Sequence, residues 1–456
     1  MLNLMAIFAA TLAISASDTD PNIRQEIHLD LYNRDQALVR EIRQVDLQKG
    51  ENKIDFQHIA DGIYGHTARI RTLENTEKIN TISFAFHYDL VSHEKIMYRY
   101  IGQQFSFYSD DRFYEGKLLG FDSDHLFMQT NDEVPLVQVV PRADMAEMMY
   151  PSIPEGLFTE PTLQWIVDSE KKQKELPVEI TYLTADIKWM CDYRAEIIDD
   201  EHLELSSVFS IHNWLPIEFP GANVSLVAGQ THRSKDPLGG DEWTSEPGTG
   251  GGGVADERFF EYYRYELDRP FDLLSAQTVQ TPFFTGDTIK YKKAFVLPHT
   301  LEDSQVMIRL SFDNNSASGA GRPLPEGNVG LYRRSAKGAL SFIGEDFIEA
   351  TPVGAEVGLE VGTAFDLRAK RTRLAQVRPE YNKHEETWRV EITSGREDAA
   401  IVDVEQRVFG YFTIARADVN GIPVKYTQEE ANVVTFPVNV EPGNKSTLTF
   451  VIQYGY

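Results

Sequence analysis

Apolar and polar positions alternate through most of the chain. In residues 26–32, Ile27, Leu29 and Leu31 share one side of an extended segment, because successive side chains of a strand point to opposite faces. The Asn33-Arg-Asp-Gln36 turn leads into a second extended run over 37–47, and Lys49-Gly50-Glu51-Asn52 turns the chain into 53–59, so the start reads as antiparallel hairpins. Runs of the same kind occupy 81–90, 178–184, 202–211, 224–228, 259–267, 289–297, 306–312, 329–334, 388–392, 401–408 and 447–453. Helical spacing is confined to two places. Ser92 is a fitting N-cap for a short helix with Ile96, Met97 and Tyr100 on one face and Gly102 as its stop, and residues 144–149 read as a second. Many short strands parted by turns predict an all-β fold of sandwich domains with few short helices.

Between residues 102 and 140 four strand-like runs follow in quick succession, separated by Ser109-Asp-Asp-Arg112, Asp122-Ser-Asp124 and Asn131-Asp-Glu133. That spacing predicts a small barrel-like domain inserted in the larger architecture. A chain of 456 residues exceeds what one core commonly holds, and the pattern divides it into five parts. These are a leader over 1–16, an N-terminal β region over 17–91, the barrel-like insertion over 92–141, a sandwich over 142–298 and a C-terminal sandwich over 299–456. Inside the fourth part, 229–256 is mostly Gly, Pro and polar residues and predicts a flexible connection between two strands.

The leader is read from an apolar run of secretory length, residues 1–16, followed by small residues and then Asp18, Asp20 and Pro21. No Lys or Arg precedes the run, so the α-amino group supplies its only positive charge. Cleavage after Ser15 or Ala16 would leave a mature protein in the periplasm or outside the cell, and no later run reaches the ~18 apolar residues of a membrane-spanning helix. The balance of 44 Lys+Arg against 70 Asp+Glu, a net charge of −26, repels nucleic acid phosphates and anionic lipid headgroups. One cysteine, Cys191, rules out an intrachain disulfide and a cysteine-only zinc site, so stability rests on packing.

No residue pattern names a catalytic, cofactor or metal site. Gly248-Thr-Gly-Gly-Gly-Gly253 has the G-x-G-x-x-G spacing but resumes as a strand, whereas a dinucleotide site needs a helix whose N-terminal amides face the pyrophosphate. His384-Glu385-Glu386 is the nearest approach to a metal cluster and reads as a charged turn before a strand. Asp122-Ser-Asp124 and Asp313-Asn-Asn315 offer oxygen ligands but lack the continuation of an EF-hand loop, and their residue types favour turns. No G-x-S-x-G elbow is present, and Cys191 reads as a small packed residue.

Residues 180–196, Ile-Thr-Tyr-Leu-Thr-Ala-Asp-Ile-Lys-Trp-Met-Cys-Asp-Tyr-Arg-Ala-Glu, resemble a signature of the mucoidy inhibitor A-like proteins, with Trp189, Asp192 and Tyr193 at the matching positions. The resemblance continues through Leu226-Val-Ala-Gly229, Pro323-Leu-Pro-Glu-Gly-Asn-Val-Gly-Leu-Tyr332, Leu340-Ser-Phe-Ile-Gly-Glu-Asp346, Thr351-Pro-Val-Gly-Ala-Glu356 and Val361-Gly-Thr-Ala-Phe-Asp366. It is weaker at Leu31-Tyr-Asn33 and Leu38-Val-Arg40. It implies a C-terminal β-rich domain of unknown function and supplies no catalytic residues. This chain lacks the long heptad run of the coiled-coil-bearing members. Tyr182, Trp189 and Tyr193 are expected to pack between two sheets, their polar atoms paired. The reading that follows is an exported, non-enzymatic envelope protein that binds or scaffolds another envelope protein or a glycan. A polysaccharide-active enzyme, with carboxylates that meet only in three dimensions, is the alternative.

Overall fold

The structure, a computed structural model, describes residues 20–73, 79–109, 112–154, 156–229, 257–259, 262–299, 305–380 and 383–455. The expected leader lies outside the described residues, as does the glycine-rich connection from residue 230 to 256 with its Gly248-to-Gly253 spacing. The fold is all-β. Among the described residues there is one α-helix, His93–Tyr100, and no helix is long and apolar enough to cross a membrane.

The central sheet has eight strands. From edge to edge it runs Glu257–Phe259, Tyr262–Glu266, Phe219–Ala228, Arg24–Tyr32, Gln36–Leu47, Gln173–Thr184 and Arg69–Thr72, with Phe271–Leu273 paired to Phe219–Ala228. Leu29, Leu31, Val39, Val178, Ile180, Tyr182 and Leu226 point to its buried side, as the alternation demands. Two sheets cover that side. One is three-stranded, Gly50–Phe56, Thr162–Ser169 and Ile79–His87; the other is five-stranded, in the order Gln277–Lys290, His202–Asn213, Ile187–Ile197, Gly327–Arg334 and Leu340–Ile348. Their inward residues, Phe56, Trp165, Trp189, Phe209 and Leu331 among them, complete one continuous core.

Two charged residues lie inside that core. Glu41 and Arg43 occupy inward positions of Gln36–Leu47, both fully buried, and Arg43 donates from Nε and Nη2 to Glu41 Oε2 at 2.8 and 2.6 Å. Its Nη1 reaches the carbonyls of Gln57 at 2.7 Å and Pro21 at 3.3 Å, and its guanidinium lies 5.6 Å from the Phe56 ring centre. Burial of a charge is tolerable only when it is paired and hydrogen-bonded, which this geometry provides.

The C-terminal part is a ten-stranded sheet folded over on itself. It includes Lys292–Leu297, Gln305–Asp313, Glu356–Glu380, Lys383–Ser394, Ala400–Arg407, Tyr411–Val419, Val433–Val440 and Lys445–Gly455. Its halves close on a second core in which Phe436 stacks on Phe450 at 4.8 Å.

The small unit has the four strands read from the sequence, Gln104–Ser109, Arg112–Phe121, His125–Thr130 and Val137–Pro141, and Ser92 caps its helix as expected, accepting from the Lys95 N–H. It differs in two respects. Residues 144–149 are not a helix: Met145–Met149 is a strand paired with Gln104–Ser109, because Met145 and Met148 gain burial on the Phe105–Phe107 core that outweighs local helical preference. The unit therefore reaches past residue 141, and its five strands form an open sheet, not a closed barrel, with Met145–Met149 and Val137–Pro141 as edges that pair with no further strand among the described residues.

The sandwich boundaries also differ from the linear division. Strands of 17–91 share sheets with 162–184 and 219–228, and Gly327–Arg334 runs parallel to Ile187–Ile197. The run 289–297 is broken at Tyr291, whose N–H donates to Glu201 O and whose hydroxyl donates to Asp199 O, both at 2.8 Å, where the chain passes from the five-stranded to the ten-stranded sheet.

Candidate functional site

The signature region splits its residues between two faces. On Ile187–Ile197, Trp189, Cys191 and Tyr193 point into the core, while Lys188, Met190, Asp192 and Arg194 face outward. Tyr193 donates to Pro325 O at 2.7 Å and Tyr182 reaches Glu41 at 3.4 Å, but Trp189 Nε1 has no hydrogen-bond partner. Burial pushes both tyrosines well above their ordinary range. Cys191 is packed, its Sγ 2.9 Å from Ser207 Oγ, and burial pushes its thiol up to about 12, so it carries no nucleophile at neutral pH.

The outward face continues into the corner where the chain leaves the central sheet. Asp186, in left-handed backbone conformation, forms that corner, and its carbonyl accepts the Trp214 N–H at 2.9 Å. Trp214, just past the end of His202–Asn213, remains 52% exposed. It is nevertheless held in place: Lys188 Nζ lies 4.9 Å from its ring centre, and His212 stacks on it at 5.6 Å with planes 15° apart. His212 Nδ1 in turn lies 2.9 Å from Thr278 Oγ1. Burial, then the Lys188 charge, hold His212 below its usual pKa, opposed by Asp192. One step along the strands, Gln280 donates to Ser210 Oγ at 2.9 Å and Ser210 donates to Asp192.

A second carboxylate joins at the corner. Asp35, also left-handed, belongs to the Asn33–Gln36 turn, and its Oδ1 is buried without a hydrogen-bond partner. Burial first and the Asp186 charge second raise its pKa from the ordinary carboxylate value, while Lys188 and the Asp186 N–H pull it back. Gly62 makes room here, since a Cβ on it would stand 3.1 Å from Asp186 Oδ2. The result is a strip with an aromatic plate in the middle and carboxylate, amide, hydroxyl and ammonium groups around it. Ring area binds apolar faces, and the fixed polar groups bind hydroxyls.

The other sequence candidates are structural. Asp122 Oδ1 accepts the N–H groups of Asp124 and His125, which lowers its pKa, and Asn315 Oδ1 accepts those of Ala317 and Ser318; both are turn roles. In the His384-Glu385-Glu386 cluster, Glu386 is occupied by His384, Trp388 and Arg373 at 2.9 to 3.3 Å, whereas Glu385 accepts from Gln453. Among the described residues no His, Cys, Asp and Glu group is arranged to hold a metal. Two surface hollows, one beside Lys290, Asp313 and Glu356 and one beside Gln104, Glu115 and Tyr150, enclose about 210 Å³ each, below the volumes usual for ligand pockets.

Sequence reasoning missed Trp214, His212, Gln280 and Asp35 as a group. Only the i, i+2 spacing of His212 and Trp214 placed two of them on one side of an extended chain. Compared with family models and with curated proteins, the chain matches none.

Proposed function

We propose that this is an exported, non-enzymatic protein of the cell envelope, periplasmic or secreted and related to the mucoidy inhibitor A-like proteins, whose central sandwich binds a neutral envelope glycan. The observation that carries the reading is Trp214, half exposed yet immobilised between Lys188 and His212 and bordered by Asp192, Ser210 and Gln280. An exposed ring at the polar end of a sheet suits the CH face and hydroxyls of a sugar. A net charge of −26 disfavours polyanionic chains and leaves neutral ones. The leader-like residues 1–16 support export. Titration with soluble cell-wall glycan fragments, followed by tryptophan fluorescence and calorimetry, tests it. Trp214→Ala is expected to abolish binding with an unchanged unfolding midpoint; equal binding by the variant refutes the site. Mature protein is expected to begin near Ser17 or Asp18, and an intact Met1 in the cytoplasm refutes export.

The Asp35 and Asp186 carboxylates favour a second reading, hydrolysis of the same glycan. A carboxyl whose pKa is raised by burial and by a second carboxylate beside it is the kind of group that serves as a general acid. Release of reducing ends that Asp35→Asn eliminates, with binding retained, would establish it over the binding role.

A further inference from the structure

The small unit carries an edge that the glycan strip does not involve. Residues 134–141 read Val-Pro-Leu-Val-Gln-Val-Val-Pro and end the five-stranded sheet at Val137–Pro141. The Thr130 N–H donates to Leu136 O at 2.9 Å and the Arg142 N–H to Asp124 O at 2.8 Å, so the even-numbered residues bond inward to His125–Thr130. Antiparallel alternation then directs the N–H and C=O of Val137 and Val139 away from the sheet. Their side chains are 64% and 51% exposed, beside Val134 and Leu136, which are exposed too.

Edges are ordinarily protected by lysine, bulges or a covering element. This one has no Lys or Arg in 134–141 and no register shift against His125–Thr130. Its prolines stand only at the ends, and Pro141 occupies a position whose missing N–H would have faced outward. Val140, nearly buried against the small core, anchors the strand.

We propose that this edge accepts an extended apolar segment of another protein as a sixth strand, with a basic residue of that segment meeting Asp132 and Glu133. Those two exposed carboxylates lie directly before the apolar run. Charge selects the partner. Two copies of this chain would each bring −26 to the contact, whereas a basic flank pairs with Asp132 and Glu133. Main-chain bonds to Val137 and Val139 supply the affinity, and the outward valines supply an apolar strip for alternate side chains of the partner.

The probe is a labelled peptide, KKTVTVTV, titrated onto the full chain by fluorescence anisotropy, with EETVTVTV as its counterpart. The basic peptide is expected to bind, and the acidic one about tenfold more weakly or worse. Val139→Pro, which removes an edge N–H, and Val137→Lys, which keeps the backbone, are each expected to reduce binding by about tenfold or more. Asp132→Lys combined with Glu133→Lys is expected to reverse the preference between the peptides. Val137→Lys keeps the test valid if Val139→Pro does not fold. Failure of KKTVTVTV to bind, or equal binding by every variant, overturns the proposal. A dimer in sedimentation that Val137→Lys dissolves overturns it as well, by assigning the edge to a second copy.

Discussion

Replacing Arg43 by methionine tests how the core tolerates its ion pair. The substitution keeps most of the side-chain volume but removes both donors to Glu41 Oε2 and the donors to Gln57 O, His58 O and Pro21 O. Glu41, fully buried, then retains only Arg24 Nη1 at 3.6 Å and the Tyr182 hydroxyl at 3.4 Å. Breaking a buried pair from one side costs about 3–5 kcal/mol. Removing both charges with Arg43→Met and Glu41→Leu still deprives the Gln57, His58 and Pro21 carbonyls of a donor, about 1–3 kcal/mol for each that stays buried and unpaired, but it relieves the uncompensated carboxylate, so the double variant is expected to be less destabilised than the single one. Urea unfolding read by tryptophan fluorescence is a direct assay, since Trp165 packs against Phe56 in the same core at 5.6 Å. At a slope of about 3 kcal/mol per molar, a loss of 4 kcal/mol moves the midpoint by about 1.3 M. A single variant that costs under about 1 kcal/mol, or a double variant as costly as the single, contradicts the account.

Three further outcomes are expected. Glu179 is drawn in opposite directions: burial raises its pKa, but the hydrogen bonds and charges of Arg71 and Arg40 outweigh it and hold the carboxyl below its usual range. Its contribution is therefore complete above the ordinary glutamate pKa and lost as pH falls through the lowered folded value, so Glu179→Gln should flatten the acid limb of a stability–pH curve. Gly327→Ala should destabilise by about 3 kcal/mol or more in thermal unfolding, because its Cβ would lie 1.8 Å from Cys191 O on the neighbouring parallel strand. Trp189→Ala should cost about 3–5 kcal/mol in the same measurement, and an unchanged midpoint would contradict its role in the core.

Local pattern made much of the strand content legible. Ile27, Leu29 and Leu31 face the core as their spacing required, and Met97 and Tyr100 line the buried face of the helix His93–Tyr100. The 25-residue strand Glu356–Glu380 escaped, since its glycines and its charged residues from 368 to 373 interrupt any two-residue rhythm. Glu41 and Arg43 escaped for the opposite reason: alternation assigns residue positions to a face but does not foretell a paired charge on the inner one. The candidate strip was the least legible. Asp35, Lys188, Trp214 and Gln280 come from four separate segments, and only the pairing of His202–Asn213 with Ile187–Ile197 and Gln277–Lys290 brings most of them to one surface.

The parallel contact between Arg24–Tyr32 and Phe219–Ala228 governs the order in which the molecule can assemble. Arg24–Tyr32 has one of its two neighbours supplied almost two hundred residues later in synthesis. Until then its main-chain groups on that side have no partner, and Ile187–Ile197 waits in the same way for Gly327–Arg334. Contacts this distant must overcome loop-closure entropy before they stabilise anything, which makes folding slow and leaves a nascent chain without its finished central sheet. A fragment ending before residue 219 would therefore expose one flank of Arg24–Tyr32, and shortening the chain from its C-terminus is the wrong way to obtain a well-behaved N-terminal piece.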